Sequence, residues 1–309
     1  MNLEKEINEI VGFKNLELLA TQVVEGFISG LHKSPFHGFS AEFAEHKIYN
    51  SGESTKHIDW KLFAKTDKLY TKRYEEETNL RCHLILDNSS SMHYPALQDM
   101  HIDSLNKIGF ASLASAAIMN LMKRQRDSVG MSIYSDRYEF YSNEKASERH
   151  HQMLLQQLNK ALGSKSSGVQ TNTYEHLHLI AEKLKRRSLV FLFTDMFQSD
   201  KQQHELFEAL QHLKYNKHEV VLFHTYDKEK ELRFDFNNRP KKFIDTETSE
   251  HINLYPDNVK ENYETAVQSY FDTLALKCGH YRIKYVPVDV NDSFNTILTT
   301  YLVERARFG

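Results

Sequence analysis

At 309 residues, with 40% hydrophobic and 26% charged side chains, the chain has the composition of a soluble globular protein and the length for one large domain or two smaller ones. A formal net charge of -3 argues against a nucleic-acid binder. No apolar run approaches the ~20 residues of a membrane helix, and the charged opening MNLEKEINEI lacks the apolar core of a signal peptide. Cys82 and Cys278 are too few for a disulfide framework, so a cytoplasmic protein with reduced thiols is expected.

In chain order, residues 3–31 place Leu16, Leu18, Leu19, Val23, Val24, Phe27 and Ile28 at helical spacing, closed by Gly30. HKSPFHGFSAEF is rich in turn residues, and HKIYNSGES reads as a short strand with its turn. In STKHIDWKLFAKT, Ser54 or Thr55 is expected to cap a helix carrying Ile58, Leu62 and Phe63. KLYTKRYEEE alternates like a partly exposed strand. From Leu80 the rhythm becomes strand, then helix. LRCHLILD, SVGMSIYSD (paired with RYEFYS), SLVFLFTD, EVVLFHTYD and YRIKYVPVD are the expected strands. Between and after them come IGFASLASAAIMNLMKRQ, segments near 146–162, 173–186, 202–214 and 258–276, and a terminal helix from Ser293. This alternation predicts an α/β fold, a doubly wound and mostly parallel sheet of Rossmann-like layout. Residues 1–78 are expected to form an N-terminal α+β extension packed on a main domain of residues 79–309.

Ligands of such sheets bind beyond the carboxyl ends of the strands, near the switch in strand order. Asp87 ends LRCHLILD and Asp195 ends LVFLFTD, so both belong on one rim, and Thr171 in GVQTNTYEHL precedes a helix that starts there. Asp87, Ser89, Ser91, Thr171 and Asp195 thus form a candidate cluster of oxygen-bearing groups. No G-x-S-x-G pattern activates a serine, and DNSSSMHYP lacks the glycines and lysine of a phosphate loop. A phosphoaspartyl enzyme would use Asp87, but Ser89 stands where a second acid is often placed. A hard cation suits the composition better. Magnesium, with manganese or calcium as substitutes, would take the hydroxyls of Ser89, Ser91 and Thr171, while Asp87 and Asp195 orient its waters. Neutral direct ligands leave the ion ready for a carboxylate from another chain. That is binding chemistry, not turnover.

The triplet Asp87-x-Ser89-x-Ser91, with Thr171 and Asp195, resembles the metal-ion-dependent adhesion site of von Willebrand factor type A domains. Gly38-x-Ser40-x-Glu42-Phe43, Tyr49-x-x-Gly52, HIDWKLFAKTDKLYTKRYEEE and LDNSSSM in turn resemble the bacterial family called domain of unknown function 58. The chain departs from it with Lys47, Lys56 and Lys65 where arginine is usual, Glu53 where aspartate is usual, and VQT where glycines usually precede the threonine. Lysine does not reproduce arginine's planar fork. The resemblance implies a type A domain with an N-terminal extension, not an enzyme, acting as an adaptor for a MoxR-type AAA+ ATPase in chaperone-like assembly. A metal-dependent phosphoester hydrolase and a metal-independent scaffold are the alternatives.

Other features read more plainly. RHHQ and YEHLHL lack zinc spacing, since His176 and His178 diverge on a helix and no H-E-x-x-H occurs. Trp60, the sole tryptophan, is expected to pack in the core with Phe63. Glu75, Glu76 and Glu77 read as an exposed strand end.

Overall fold

The computed structural model describes residues 15–30, 43–49, 55, 58–74, 80–97, 99–164, 172–196, 203–245 and 250–308. Its centre is a six-stranded sheet. Strand β3 (Arg81–Asp87) lies between β4 (Ser128–Tyr134) and β6 (Leu189–Thr194), all parallel. Beyond β6 come β7 (Glu219–Tyr226) and β10 (Lys284–Asp289), also parallel, while β5 (Tyr138–Lys145) closes the opposite edge antiparallel to β4. The order β10-β7-β6-β3-β4-β5 reverses direction at β3, which is the doubly wound, mostly parallel α/β arrangement read from the sequence.

Alternation along the strands sends side chains to two apolar layers. Leu84, Leu86, Phe191, Phe193, Val221 and Phe223 face one layer, filled by helices α1 (Leu16–Gly30), α3 (Lys107–Arg124), α4 (Glu148–Leu162) and α8 (Phe294–Phe308). Ile85, Val190, Leu192, Val220 and Leu222 face the other, filled by α5 (Thr173–Lys183), α6 (Gln203–Tyr215) and α7 (Lys260–His280). The small residues of α3, including Ala111, Ala114, Ser115 and Ala117, let it lie close against the sheet, and all are buried. Cys82 and Cys278 are buried free thiols in opposite layers.

Near the N-terminus, α1 contributes Leu16, Leu19, Ala20, Val24 and Phe27 to the first layer. A two-stranded sheet pairs β1 (Phe43–Ile48) with β2 (Tyr70–Tyr74), and α2 (Trp60–Thr66) lies between them in sequence. The cap of α2 is Asp59, not Ser54 or Thr55: its Oδ1 accepts the N–H groups of Lys61 and Leu62 at 3.0 and 3.1 Å. Ser54 lies outside the described residues. Trp60 also departs from expectation, being 61% exposed. A second hairpin, β8 (Lys241–Ile244) with β9 (His251–Leu254), follows β7 and was not foreseen.

One polar chain crosses the sheet. His83 Nδ1 donates to the Glu144 carboxylate at 2.9 Å, and Nε2 shares a hydrogen bond of 2.7 Å with the Ser132 hydroxyl. Gly130 makes room for it. A Cβ there would stand 2.7 Å from the Ser142 carbonyl oxygen and 2.8 Å from His83 Nδ1, so neither backbone nor ring could yield freely. Gly130→Ala is therefore expected to lower unfolding stability by about 1–3 kcal/mol in urea denaturation; an unchanged midpoint would contradict the close approach.

Candidate functional site

Because β3 and β6 are neighbours at the switch in strand order, their carboxyl ends open side by side. Asp87 is the last residue of β3, a 3-10 turn (Ser90–His93) follows it, and Asp195 comes directly after β6. Asp87, Ser89, Ser91 and Asp195 thus stand on one rim, while Thr171 lies outside the described residues. The loop is tied tightly to the strand end. Asp87 Oδ1 accepts the Ser89 N–H at 2.9 Å, and its Oδ2 accepts the Thr194 hydroxyl at 2.7 Å. The hydroxyls of Ser89 and Ser91 share a hydrogen bond of 3.1 Å. His93 Nε2 donates to Asn88 Oδ1 at 3.1 Å, and the Asn88 amide donates to Glu139 at 3.1 Å. Burial lowers the His93 pKa, so its ring is neutral near pH 7.

A second set of groups, invisible in the motif, locks the other half of the rim. Lys107, the first residue of α3, is fully buried, and its ammonium donates to Asp195 Oδ2 at 3.0 Å and Glu231 Oε1 at 2.5 Å. Burial alone would lower the lysine pKa, but the two carboxylates more than offset it and the net shift is upward. Glu231 sits in a π-helical turn (Lys228–Leu232), where its Oε2 accepts the Asp227 N–H at 2.7 Å. The Asp195 carbonyl accepts from His224 Nε2 at 2.9 Å, and the Tyr285 hydroxyl donates to Nδ1 at 2.7 Å. A carbonyl cannot donate, so the ring proton is on Nε2; burial pushes this pKa down to about 4 and keeps the imidazole neutral. Met196 takes a left-handed φ of 54°, and its N–H donates to the Thr194 hydroxyl, 3.1 Å away. Beneath the loop, the buried phenol of Tyr134 lies beside Asp87, Thr194 and Thr173, its pKa raised well above the ordinary value by burial and then by Asp87.

These contacts bear on the expected cation. The expected magnesium, manganese or calcium cofactor is overturned: among the described residues no group of three or more His, Cys, Asp or Glu is placed to hold a metal ion. The physical reason is visible at each carboxylate. Asp87 is already satisfied by a backbone N–H and a hydroxyl, and Asp195 is neutralised by an ammonium at hydrogen-bond distance. The rim carries its positive charge on a covalent tether.

The family model described as "Protein of unknown function DUF58" matches residues 45–270, well over half of the chain. The chain belongs to the DUF58 family. Curated relatives that match this DUF58 protein include the uncharacterized proteins Mb1516 of Mycobacterium bovis and Rv1480 of Mycobacterium tuberculosis. Each is 26% identical over 81 residues, and the match spans 26% of this chain and 26% of the relative. Similar solved structures include BatB from Bacteroides thetaiotaomicron, 16% identical with a TM-score of 0.43, covering 74% of this chain and 99% of that one. An aerotolerance-related membrane protein from Bacteroides fragilis is 13% identical with a TM-score of 0.44, covering 74% and 100%. At such scores the fold assignment rests on this chain's own strand order. Among the described residues no helix is long and apolar enough to cross a membrane.

Asp87 supplies a pH signature. Burial first, and the charge of Asp195 second, push its pKa up to about 6 from the ordinary 3.8. The folded state therefore holds this proton more tightly than the unfolded chain, so Asp87 favours folding at acidic pH and loses that contribution as pH rises from about 4 to about 6. Urea denaturation of the wild type and Asp87→Asn across that range is expected to show the variant gaining relative stability with pH. A constant difference between the two, or one of opposite slope, would contradict the assignment.

Proposed function

We propose that this DUF58 protein is an interaction module, not an enzyme, and serves in the cytoplasm as an adaptor for a MoxR-type AAA+ ATPase in chaperone-like assembly. The observation that carries this reading is the internal satisfaction of the rim. The Ser89 and Ser91 hydroxyls bond to one another, the imidazoles of His93 and His224 are engaged by Asn88 and by the Asp195 carbonyl, and Asp195 is held by Lys107. A nucleophile needs a base within hydrogen-bond reach, and here the candidate groups are engaged elsewhere. What such a loop offers is a fixed shape with little conformational entropy left to lose on association. The family resemblance supplies the class of partner. With the cation overturned, the partner's acidic side chain has no ion to complete; the half-buried Ser91 hydroxyl and the adjoining turn present the recognition surface instead.

The test is direct binding. The full chain and a purified MoxR-type ATPase from the same genome are mixed in calorimetry, alongside Ser91→Trp, which plugs the rim. The reading expects a complex with the wild type and at least about a tenfold loss with the variant, at unchanged thermal stability. No complex, or equal binding by the two, counts against it.

A further inference from the structure

The side chain that sequence reasoning sent to the core is one of the most exposed large apolar groups in the described residues. Trp60 is 61% exposed, at the first position of α2, with its ring edge-on to Phe63 at a centroid distance of 6.2 Å. This exposure is not the result of a loose segment. Asp59 caps the helix and bonds through its own N–H to the Tyr70 carbonyl at 2.8 Å, while Ile58 bridges to Thr71 across the start of β2. At the far end, the Asp67 N–H closes the helix on the Phe63 carbonyl in a left-handed C-cap. The indole is therefore presented from a backbone fixed at both ends.

The sequence around it is rich in basic residues. Between Ile58 and Tyr74 the chain carries Lys61, Lys65, Lys68, Lys72 and Arg73 against only Asp59 and Asp67, although the whole chain is net negative at -3. Lys61, Lys65 and Lys68 are exposed, and none makes an ion pair with a described residue. Lys61 and Lys65 are one helical turn apart, so they share a cationic row along α2 beside the indole at its head. Asp59 cannot offset the lysines freely, because it is engaged at the helix start.

We infer that α2 is a docking face for an acidic segment of a partner protein that also carries apolar side chains: its carboxylates meet Lys61, Lys65 and Lys68, and one apolar side chain packs against Trp60. Tryptophan offers a large rigid contact area at low entropic cost, and flanking lysines set the sign and orientation of the occupant. A protein segment fits better than a nucleic acid or an anionic membrane. The cationic row spans only three exposed side chains, and the chain as a whole repels long polyanions. The face uses different elements from the sheet rim and does not depend on the ATPase being the partner.

Trp60 is also the reporter, since it is the only tryptophan in the chain. The full-length protein is titrated with a synthetic peptide alternating Asp or Glu with Leu or Phe, and with the same peptide carrying Lys in place of the acids. The acidic peptide is expected to shift the emission to shorter wavelength and protect it from acrylamide quenching, while the basic peptide does neither. Lys61→Glu/Lys65→Glu/Lys68→Glu keeps the reporter and should weaken the response at least about tenfold, and added salt should weaken the wild-type response. The surface lysines tolerate this change if the melting temperature is retained. Equal responses to both peptides, none to the acidic one, or a charge-matched oligonucleotide or phosphatidylserine vesicle giving the larger response would overturn the proposal. Loss of ATPase binding with the peptide response intact would leave it standing.

Discussion

A single ammonium group, buried where three segments meet, organises the rim of this sheet. Lys107 reaches from the head of α3 to Asp195 at the end of β6 and to Glu231 in the turn after β7. Burying a charge is costly unless it is paired and hydrogen-bonded, so the three segments are constrained to arrive at one point together. Further contacts build on that constraint. Glu231 holds the N–H of Asp227 and lends its carbonyl to the Tyr263 hydroxyl, which ties the turn to α7. Asp195 is held at its carbonyl by His224, and the next residue adopts a left-handed backbone that engages Thr194. Thr194 in turn donates to Asp87, which completes the link to the serine loop.

This chain of contacts explains why a hydroxyl-rich loop between two aspartates need not gather a divalent ion. Asp87 and Asp195 are close enough for the charge of one to raise the pKa of the other, and the protein manages that repulsion with its own donors. The outcome is a rigid rim whose polar groups are mostly committed inward. In the interaction role proposed for it, such a surface would recognise by shape and by the few side chains left half-exposed. Membership of the DUF58 family accords with an α/β core bearing extensions.

The core of the fold was legible because burial on both faces writes a nearly continuous apolar run, as in SLVFLFTD, and a strand of that kind has few other places to go. Asp87 and Asp195 could be assigned to one rim from their positions at strand ends alone. Lys107 could not. A lysine heading the apolar helix IGFASLASAAIMNLMKR looks like an ordinary solvated helix start, and its partner Glu231 lies in an irregular turn with no periodic signal. The hydroxyl pattern therefore suggested an external cation when an internal one was already present. Trp60 failed for a related reason: its hydrophobicity and helical spacing to Phe63 predict burial, and only the placement of α2 beside a small two-stranded sheet leaves it open. The hairpin β8–β9 escaped notice because KKFI and HINL are short and separated by polar residues.

Equilibrium unfolding of Lys107→Met tests the central claim most directly. Methionine keeps the length and apolar stem of lysine but strands Asp195 and Glu231 without their cation. The account predicts a loss of about 3–5 kcal/mol relative to wild type at neutral pH. A loss below about 1 kcal/mol, at unchanged denaturant dependence, would mean that the buried ammonium does not organise the rim.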